Sequence, residues 1–283
     1  MTAELRVVAT PIGNLGDLTP RAQQALATAD LVLCEDTRHS GALLHHLGLK
    51  KPLWSLHAHN ETARIDSVLQ ALAEGQAIAL VSDAGTPCLS DPGAELVAAV
   101  RHAGYPVTSL PGPFAAAVAL AAAGMTPVPF AFWGFLAKKS GERQRQLQAR
   151  LLPGPEGPMS HAFYVPGRDV PELLADLQAV APAARVCVAR ELTKIHEGFL
   201  LGTPAEVAAQ LRPEHERGEA VLLVEIRAKP AGSDKWIEAE LLEKIEQARK
   251  EGQRAKQAVA DLAAASGWSR NDVYARWVAS DAE

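Results

Sequence analysis

The chain has 283 residues, of which 48% are hydrophobic and 5% are aromatic, and a chain of this length can bury substantial cores in more than one domain. Its net charge of −5 and its isoelectric point near 6.0 exclude a protein that coats nucleic acid through overall basic charge. Local basic patches remain compatible with these totals.

The first part of the chain alternates short apolar runs with alanine-rich helical stretches. Strands are predicted over residues 5–9, 31–34, 53–55, 77–81 and 107–110, and helices over residues 20–28, 41–47, 61–74 and 93–102. Strands that alternate with helices at this spacing predict a largely parallel sheet that is covered on both faces. We therefore expect an N-terminal α/β domain over residues 1–112.

The pattern changes at LPGPFAAAVALAAAGM (110–125), which turns at its prolines and enters a helix of small residues. Strands over residues 130–135, 161–165, 185–190 and 220–226 predict a second α/β domain over residues 113–228. A polar linker over residues 227–235 then leads to a helical tail over residues 236–283. In this tail a charged helix over residues 236–252 precedes two helices joined at Ser266 and Gly267, which resembles a helix-turn-helix.

Cysteine usage and hydropathy bear on the compartment. Cys34, Cys88 and Cys187 are far apart, which argues against a disulfide framework and against a zinc site of the usual spacing. The N-terminus has no secretory signal pattern. The most apolar run, near residues 114–124, is about half of the roughly 20 residues that a membrane span needs. We therefore expect a cytoplasmic protein.

Two loops with glycines follow predicted strands of the first domain. VATPIGNLGDLTP (7–19) has the outline of a phosphate cradle, but it lacks the glycine spacing and the lysine of known cradles. VSDAGTPCLSDPG (81–93) lies where parallel sheets bind ligands, at the carboxyl end of a strand. Its Asp and Ser residues could instead cap the helix that begins near Gly93, and we adopt that interpretation for Asp91. Ligand contact through backbone groups is favoured for the rest of the loop.

Two polar stretches accompany these loops. In LCEDTRHSGALL (33–44) an acidic pair precedes a helix, which is ordinary helix stabilisation when it stands alone but a substrate-facing group beside the other loops. In SLHAHNET (55–62), His57 and His59 would share a face if they lay on a strand, as some metal ligands do. Because no third ligand has a recognised spacing, we favour a polar loop held by Asn60 and expect no metal.

Basic residues concentrate in two stretches, LAKKSGERQRQLQAR (136–150) and residues 244–256. Either one alone is typical of a solvated helix face, but two such stretches on an acidic chain favour a local footprint for RNA phosphates. RELTKIHEG (190–198) mixes both charges. It could be a surface ion-pair cluster or the wall of a cleft between domains, and the sequence leaves both interpretations open.

Taken together, ATPIGNLGDLTPRA, EDTRHSGALL, HNE, VSDAGTPCLSDPG, LPGPFA, FWGFL and RELTK resemble the tetrapyrrole-methylase-like enzymes in order and approximate spacing, over nearly the whole chain. Within that superfamily they resemble the enzymes that methylate RNA of the small ribosomal subunit. The resemblance implies two unlike α/β domains, usually in a homodimer, with S-adenosylmethionine (SAM) bound in the cleft between the domains. It also implies methyl transfer to the ribose 2′-oxygen of a cytidine in 16S rRNA.

The resemblance also implies roles for residues of this chain. The donor site would consist of Pro11, Gly13, Asp83, Ala84, Gly85, Thr86, Ser90, Pro111, Gly112 and Ala115, with the stretch 132–136 from the second domain. The substrate side would include Arg38, Asn60, Lys138, Lys139, Arg143 and Arg145. Asp36 is the candidate general base, Glu35 is the second candidate, and Lys194 is a possible electrostatic helper.

One block departs from the family pattern. The chain has YVPGRD (164–169), with Val165 where the family tends to have glutamate and with Arg168 and Asp169 at the positions of a histidine and an arginine. A catalytic role for this block is therefore in doubt. The fold is not affected.

Two other functions stay open on the sequence. One is a methylase of the same fold that acts on a tetrapyrrole, and the other is a non-enzymatic module that binds RNA or the ribosome. The basic stretches and the helical tail favour RNA over a tetrapyrrole, and the intact donor loops favour an enzyme over a binding module.

Overall fold

The computed structural model describes residues 3–154, 157–226, 236–266 and 268–279. The predicted linker over residues 227–235, and Gly267 of the predicted tail turn, lie outside the described residues. The chain divides into two compact units, one of residues 1–152 with 158–226 and the other of residues 153–157 with 227–283. Both sheets belong to the first unit, and the predicted domain boundaries stay predictions.

The first sheet is entirely parallel, with the strand order β3-β2-β4-β1-β5. Its strands are β1 (Glu4–Val8), β2 (Leu31–Cys34), β3 (Leu53–Ser55), β4 (Ala77–Leu80) and β5 (Val107–Leu110). Its helices are α1 (Pro20–Thr28), α2 (Thr37–His46), α3 (Glu61–Ala73) and α4 (Ala94–His102). The predicted parallel sheet is confirmed. Helix α2 begins four residues before the predicted start because Asp36 caps it.

Both faces of this sheet are buried, as the predicted strands LVLC and AIAL require. Successive residues of a strand point to opposite faces. Leu33 and Ile78 accordingly pack in one core, and Val32 and Ala79 pack in the other. The sheet is thus covered by helices on both sides, which is typical of parallel sheets.

The second sheet is mixed, with the order β6-β7-β10-β8-β9, in which β6 and β7 are parallel and the other neighbours are antiparallel. Its strands are β6 (Phe130–Phe135), β7 (Met159–Pro166), β8 (Arg185–Arg190), β9 (Gly198–Gly202) and β10 (Glu219–Ile226). Its helices are α5 (Ala115–Ala122), α6 (Ser140–Arg150), α7 (Val170–Val180) and α8 (Pro204–Gln210). The two sheets confirm the prediction of two unlike α/β parts.

The strand register brings several loops of the second sheet to one edge. Pro166 at the end of β7 pairs with Glu219 at the start of β10, and Arg190 at the end of β8 pairs with Ala220. The end of β6 lies at the same edge, because Phe135 pairs with Tyr164. The loops after β6, β7 and β8 therefore lie beside the loop before β10.

The tail is a separate group of three helices, α9 (Glu238–Lys250), α10 (Ala255–Ser266) and α11 (Arg270–Ala279). They share a small core that includes Leu241, Ile245, Ala258, Val273 and Trp277. The predicted charged helix is present, although it begins two residues later than expected. Over the described residues, every helix is too short or too polar to cross a membrane.

Candidate functional site

A cavity of about 490 Å³ lies between loops of the first sheet and the loop edge of the second. Ligand sites in proteins typically measure about 300–1,000 Å³, so its size suits a small organic molecule. The first sheet contributes Pro11, Ile12, Gly13, Leu15, His39, Asp83 and Ala84. The rest of the wall is Ala115, Phe135, Tyr164, Ala189, Glu191, Leu192, Lys194, Gly218, Glu219, Ala220 and Val221. Half of the predicted donor residues line the cavity, and Lys194 does too.

Among the other predicted donor residues, Gly85, Thr86 and Gly112 lie where the first-sheet loops meet. The backbones of Thr10 and Gly85 exchange two hydrogen bonds of 2.9 and 3.0 Å. The Thr86 hydroxyl donates to the carbonyl oxygen of Pro113 at 2.8 Å. The loops over residues 7–19, 81–93 and 110–113 are thereby joined, as their common position at the carboxyl ends of parallel strands led us to expect.

Glycine permits close approach between backbones at two of these positions. A Cβ atom on Gly13 would lie 2.7 Å from Lys194 Cγ and 2.8 Å from the carbonyl oxygen of Leu192. A Cβ atom on Gly112 would lie 2.6 Å from the Cβ atom of Ala9. Both distances are too short for a side chain. Gly13 therefore lets the first loop contact the RELTKIHEG loop across the cavity wall.

The cavity-side loops also contain strained backbone. Over the described chain, four residues other than glycine have positive φ: Cys88 at 70°, Ser90 at 70°, Glu191 at 50° and Thr193 at 63°. Such conformations cost free energy and concentrate at functional sites. All four lie in the two loops that follow β4 and β8. This strain is a second, independent reason to regard these loops as functional.

The loop over residues 81–93 is anchored by Glu61 of the HNE motif. Glu61 is only 8% exposed, and its Oε1 atom accepts hydrogen bonds from the backbone nitrogens of Gly93 and Leu96, each at 3.0 Å. A carboxylate at a helix N-terminus is favoured by the helix dipole. The prediction that Asp91 caps this helix is wrong, because α4 has no side-chain cap of its own and Glu61 from α3 takes that role.

Asp91 instead belongs to a cluster of carboxylates with Glu35, Asp83 and Glu219, of which Asp83 and Glu219 line the cavity. Burial, followed by the negative charges of these three neighbours, raises the pKa of Asp91 to about 6. Burial, followed by Asp91 and Glu219, raises the pKa of Tyr164 to about 12. Burial and Asp83 also raise the pKa of Glu35.

These four carboxylates form no ion pair with any described residue. The site therefore carries uncompensated negative charge, which favours a cationic ligand. Sequence reasoning missed this cluster as a unit, because its members come from two loops of the first sheet and from β10 of the second.

Asp36, the predicted base, is occupied by structural contacts. Its carboxylate accepts a hydrogen bond from the backbone nitrogen of Arg38 at 2.8 Å and forms an ion pair with the Arg38 guanidinium at 2.7 Å. These hydrogen bonds hold the pKa of Asp36 well below its usual range. Its own backbone nitrogen donates to Asp83 at 3.1 Å. Asp36 thus caps α2 and positions Asp83, and a carboxylate held in this way is a weak proton acceptor.

The HNE stretch forms a loop beyond the end of β3. The side-chain oxygen of Asn60 accepts a hydrogen bond from the backbone nitrogen of His57 at 2.8 Å, and its side-chain nitrogen donates one to the carbonyl oxygen of Ser55 at 3.2 Å. Both polar atoms of the Asn60 amide therefore hold the loop, and its predicted contact with substrate stays a prediction. Among the described His, Cys, Asp and Glu residues, no group of three could hold a metal ion.

The predicted basic surface on α6 divides into buried and exposed members. Arg143 is 4% exposed, and its guanidinium binds Asp176, Glu172 and the carbonyl oxygen of Lys138. We therefore remove Arg143 from the candidate substrate surface. Lys138, Lys139 and Arg145 are exposed, as a substrate surface requires.

The YVPGRD block fits its surroundings. Val165 is 3% exposed and packs in the core between the second sheet and α7. Arg168 is exposed and pairs with the half-buried Asp169 at 3.6 Å. A valine at position 165 therefore stabilises the core, where an unpaired glutamate would be costly.

Comparison with known proteins agrees with this architecture. Residues 4–208 match the family model of tetrapyrrole (corrin/porphyrin) methylases. Uroporphyrin-III C-methyltransferase of Thermus thermophilus has a similar fold, with a TM-score of 0.53, 22% identity, and coverage of 78% of this chain and 94% of that one. A uroporphyrin-III C-methyltransferase of Thermus thermophilus has also been solved in complex with S-adenosylhomocysteine, with a TM-score of 0.52, 18% identity, and coverage of 78% of this chain and 96% of that one.

Two curated relatives cover more of the sequence at higher identity. Ribosomal RNA small subunit methyltransferase I of Haemophilus influenzae is 40% identical over 277 residues, which is 97% of this chain and 96% of that protein. The protein of the same name from Xylella fastidiosa is 46% identical over 224 residues, or 78% and 81% of the two chains. The chain therefore belongs to the tetrapyrrole methylase family and, within it, to the group of small subunit ribosomal RNA methyltransferases I.

Proposed function

We propose that this protein transfers a methyl group from SAM to the RNA of the small ribosomal subunit, and that the acceptor is the ribose 2′-oxygen of a cytidine in 16S rRNA. The proposal rests on the cavity, which has small residues in its wall and a cluster of carboxylates that form no ion pair with a described residue. It is supported by the 40% identity, over 97% of this chain, to a ribosomal RNA small subunit methyltransferase I.

The cavity fits SAM in shape and charge. SAM has no phosphate, which agrees with a loop over residues 7–19 that lacks the spacing of a phosphate cradle. Pro11, Gly13, Ala84 and Ala115 line the cavity, and small residues let a ligand approach the backbone closely. The carboxylate cluster complements the positively charged sulfur and amino group. When bound, SAM would supply a methyl group whose carbon an oxygen nucleophile attacks, with the thioether of S-adenosylhomocysteine as the leaving group.

Asp91 is the general base in this proposal, in place of Asp36. A ribose hydroxyl is a poor nucleophile until its proton is removed or shared, and the best base has a pKa near the working pH. Asp91 meets this condition with a pKa of about 6, and it lies behind the cavity wall, next to its charged neighbours Asp83 and Glu219, which line the cavity. It would accept the proton of the hydroxyl as the new oxygen–carbon bond forms. Glu35 stays the second candidate, and the pairing of Lys194 with Glu191 at 3.2 Å holds a positive charge at the wall.

Loss and restoration of the modification test this function. In rRNA from cells without the gene, we expect one cytidine of 16S rRNA to lack its 2′-O-methyl group. Purified protein and SAM should restore it on isolated small subunits. An unchanged methylation map, or a missing methyl group elsewhere than on a ribose, would contradict the proposal.

The proposal includes assembly and location. We propose that two copies form a homodimer, which sedimentation of the purified protein would detect as twice the chain mass. Because its proposed substrate is the small ribosomal subunit, we also propose that the protein acts in the cytoplasm.

A further inference from the structure

The mouth of the cavity is apolar and exposed on both sides. Leu15 and Phe135 both line the cavity, yet they are 49% and 50% exposed. The ring of Phe135 is supported by Tyr164, with ring centroids 5.5 Å apart at an angle of 63°. An exposed aromatic ring that is held in place at a cavity mouth is typical of a binding surface.

Basic residues lie next to this ring. Lys138 and Lys139 follow Phe135 by three and four residues, and both are exposed without an ion pair to a described residue. The neighbouring loops add Arg168 and Arg217, both exposed. These two loops are directly joined, because the backbone nitrogen of Gly167 donates to the carbonyl oxygen of Gly218 at 2.8 Å. Cations from three loops thus lie along one sheet edge beside Phe135.

We propose that Phe135 is the platform on which the base of the target nucleotide stacks, and that Lys138, Lys139 and Arg217 bind the phosphates that flank this nucleotide. Proteins recognise unpaired RNA by stacking bases on aromatic rings and by pairing Lys and Arg with phosphates. A nucleotide that enters a cavity leaves its own stack, and a protein ring offsets that loss. This inference rests on the proposed function.

The distribution of charge separates the RNA from the methyl donor. The carboxylates of Asp83 and Glu219, which line the cavity, repel phosphate, so the RNA backbone is held beside the exposed lysines and arginines at the mouth. Of these cations, Arg168 pairs with Asp169 at 3.6 Å. The resemblance places residues 132–136 at the donor, whereas the half-exposed ring of Phe135 at the mouth favours the nucleotide.

Replacement of Phe135 tests the platform. Stacking on an aromatic ring contributes about 1–3 kcal/mol per base, so Phe135→Ala should raise the KM for small subunits by roughly 5- to 150-fold. The Kd for S-adenosylhomocysteine, measured by calorimetry, should change less than about twofold, and Phe135→Trp should restore the KM. Phe130→Ala is the matched control, because Phe130 is 40% exposed on the same strand but does not line the cavity.

Two results would overturn the platform. One is weaker binding of S-adenosylhomocysteine by Phe135→Ala with an unchanged KM, which would place the ring at the donor. The other is an unchanged KM with unchanged binding of S-adenosylhomocysteine in that variant, which would leave the ring without a role in binding. Failure of the proposed function is distinguishable, because the wild-type protein itself would then transfer no methyl group to small subunits.

Salt dependence tests the phosphate contacts. The combined variant Lys138→Ala, Lys139→Ala and Arg217→Ala should bind small subunits more weakly. Its plot of log affinity against log salt concentration should be shallower by about 0.7 for each lost contact to single-stranded RNA. Lys50→Ala is the control, since Lys50 is exposed before β3 at the opposite edge of the first sheet. An unchanged slope in the triple variant, or an equal change in the control, would overturn these contacts.

Discussion

Two aspartates near the cavity differ in what binds their oxygens. The carboxylate of Asp36 accepts a hydrogen bond at the start of α2 and forms an ion pair with Arg38. Asp91, in contrast, is half-buried among other carboxylates. A carboxylate held by donors stays ionised and weakly basic, while one surrounded by negative charge becomes a better base. The same residue type therefore has a structural role at position 36 and a proposed chemical role at position 91.

Replacement of each aspartate by asparagine separates these roles. Asp91→Asn should lower the rate of methyl transfer by about 100-fold or more, the usual contribution of a general base, while calorimetry shows retained binding of S-adenosylhomocysteine. Asp36→Asn is the matched control, because asparagine also caps helices well, and it should keep most of the activity. If Asp36→Asn lost more methyl-transfer activity than Asp91→Asn, Asp36 would be the general base instead.

The raised pKa of Asp91 predicts opposite effects of pH on activity and stability. The rate should rise with pH through about 6 as Asp91 ionises. Because its pKa is higher in the folded state than in the unfolded state, its ionisation above that pH destabilises the fold. Asp91→Asn should therefore raise the melting temperature at pH 8, with a smaller effect at pH 4. Scanning calorimetry at both pH values measures this, and a lower melting temperature at pH 8 would contradict it.

Residues near each other in sequence were easier to predict than residues that meet only in the fold. Pro11, Gly13, Asp83 and Ala84 lie in loops after strands, and they line the cavity as expected. The sequence favours a helix cap at Asp91 because two of its charged neighbours, Glu35 and Glu219, come from other segments, and Glu219 lies on another sheet. Nothing in LAKKSGERQRQLQAR indicates that one of its arginines meets an aspartate of α7.

At the scale of elements, the loop over residues 81–93 depends on a residue of a different helix. Glu61 from α3 binds the first turn of α4, and α4 begins where this loop ends. The HNE motif therefore contributes to the site without lining the cavity, by fixing the end of the loop that carries Asp83 and Asp91.

Loss of this anchor should affect stability and donor binding together. Glu61→Ala leaves two buried backbone nitrogens without an acceptor, which should lower the free energy of unfolding by about 2–3 kcal/mol. It should also weaken binding of S-adenosylhomocysteine through the displaced loop. Urea denaturation and calorimetry measure the two effects. Glu61→Gln keeps an acceptor oxygen and should lose less of both, and equal losses in the two variants would argue against the anchor.

Elements with strong local patterns were predicted closely, and those without them were not. The strands LVLC and AIAL are continuous apolar runs buried on both faces, and their predicted bounds agree within one residue. Strand β9, with the sequence GFLLG, was not predicted, because it is short and glycine ends it on both sides. Its pairing with β8, which is a long-range contact, is what makes it a strand.

At the scale of the whole molecule, the net charge of −5 conceals an uneven distribution. Carboxylates without an ion pair to any described residue gather around Asp83 and Glu219 of the cavity wall, and exposed lysines and arginines gather on loops beside the cavity mouth. The first group suits a cationic methyl donor and the second suits RNA phosphates. Composition alone excluded a uniformly basic protein and allowed local patches, but only the strand register shows which basic loops adjoin the cavity.

The central claim is methyl transfer from SAM to RNA of the small subunit, and the most direct test is transfer of a tritiated methyl group by the purified protein. Small subunits from cells without the gene should take up close to one methyl group each. Small subunits from wild-type cells, large subunits and a porphyrinoid substrate should take up almost none. Label on the porphyrinoid, or no label on undermethylated small subunits although S-adenosylhomocysteine binds, would contradict the account.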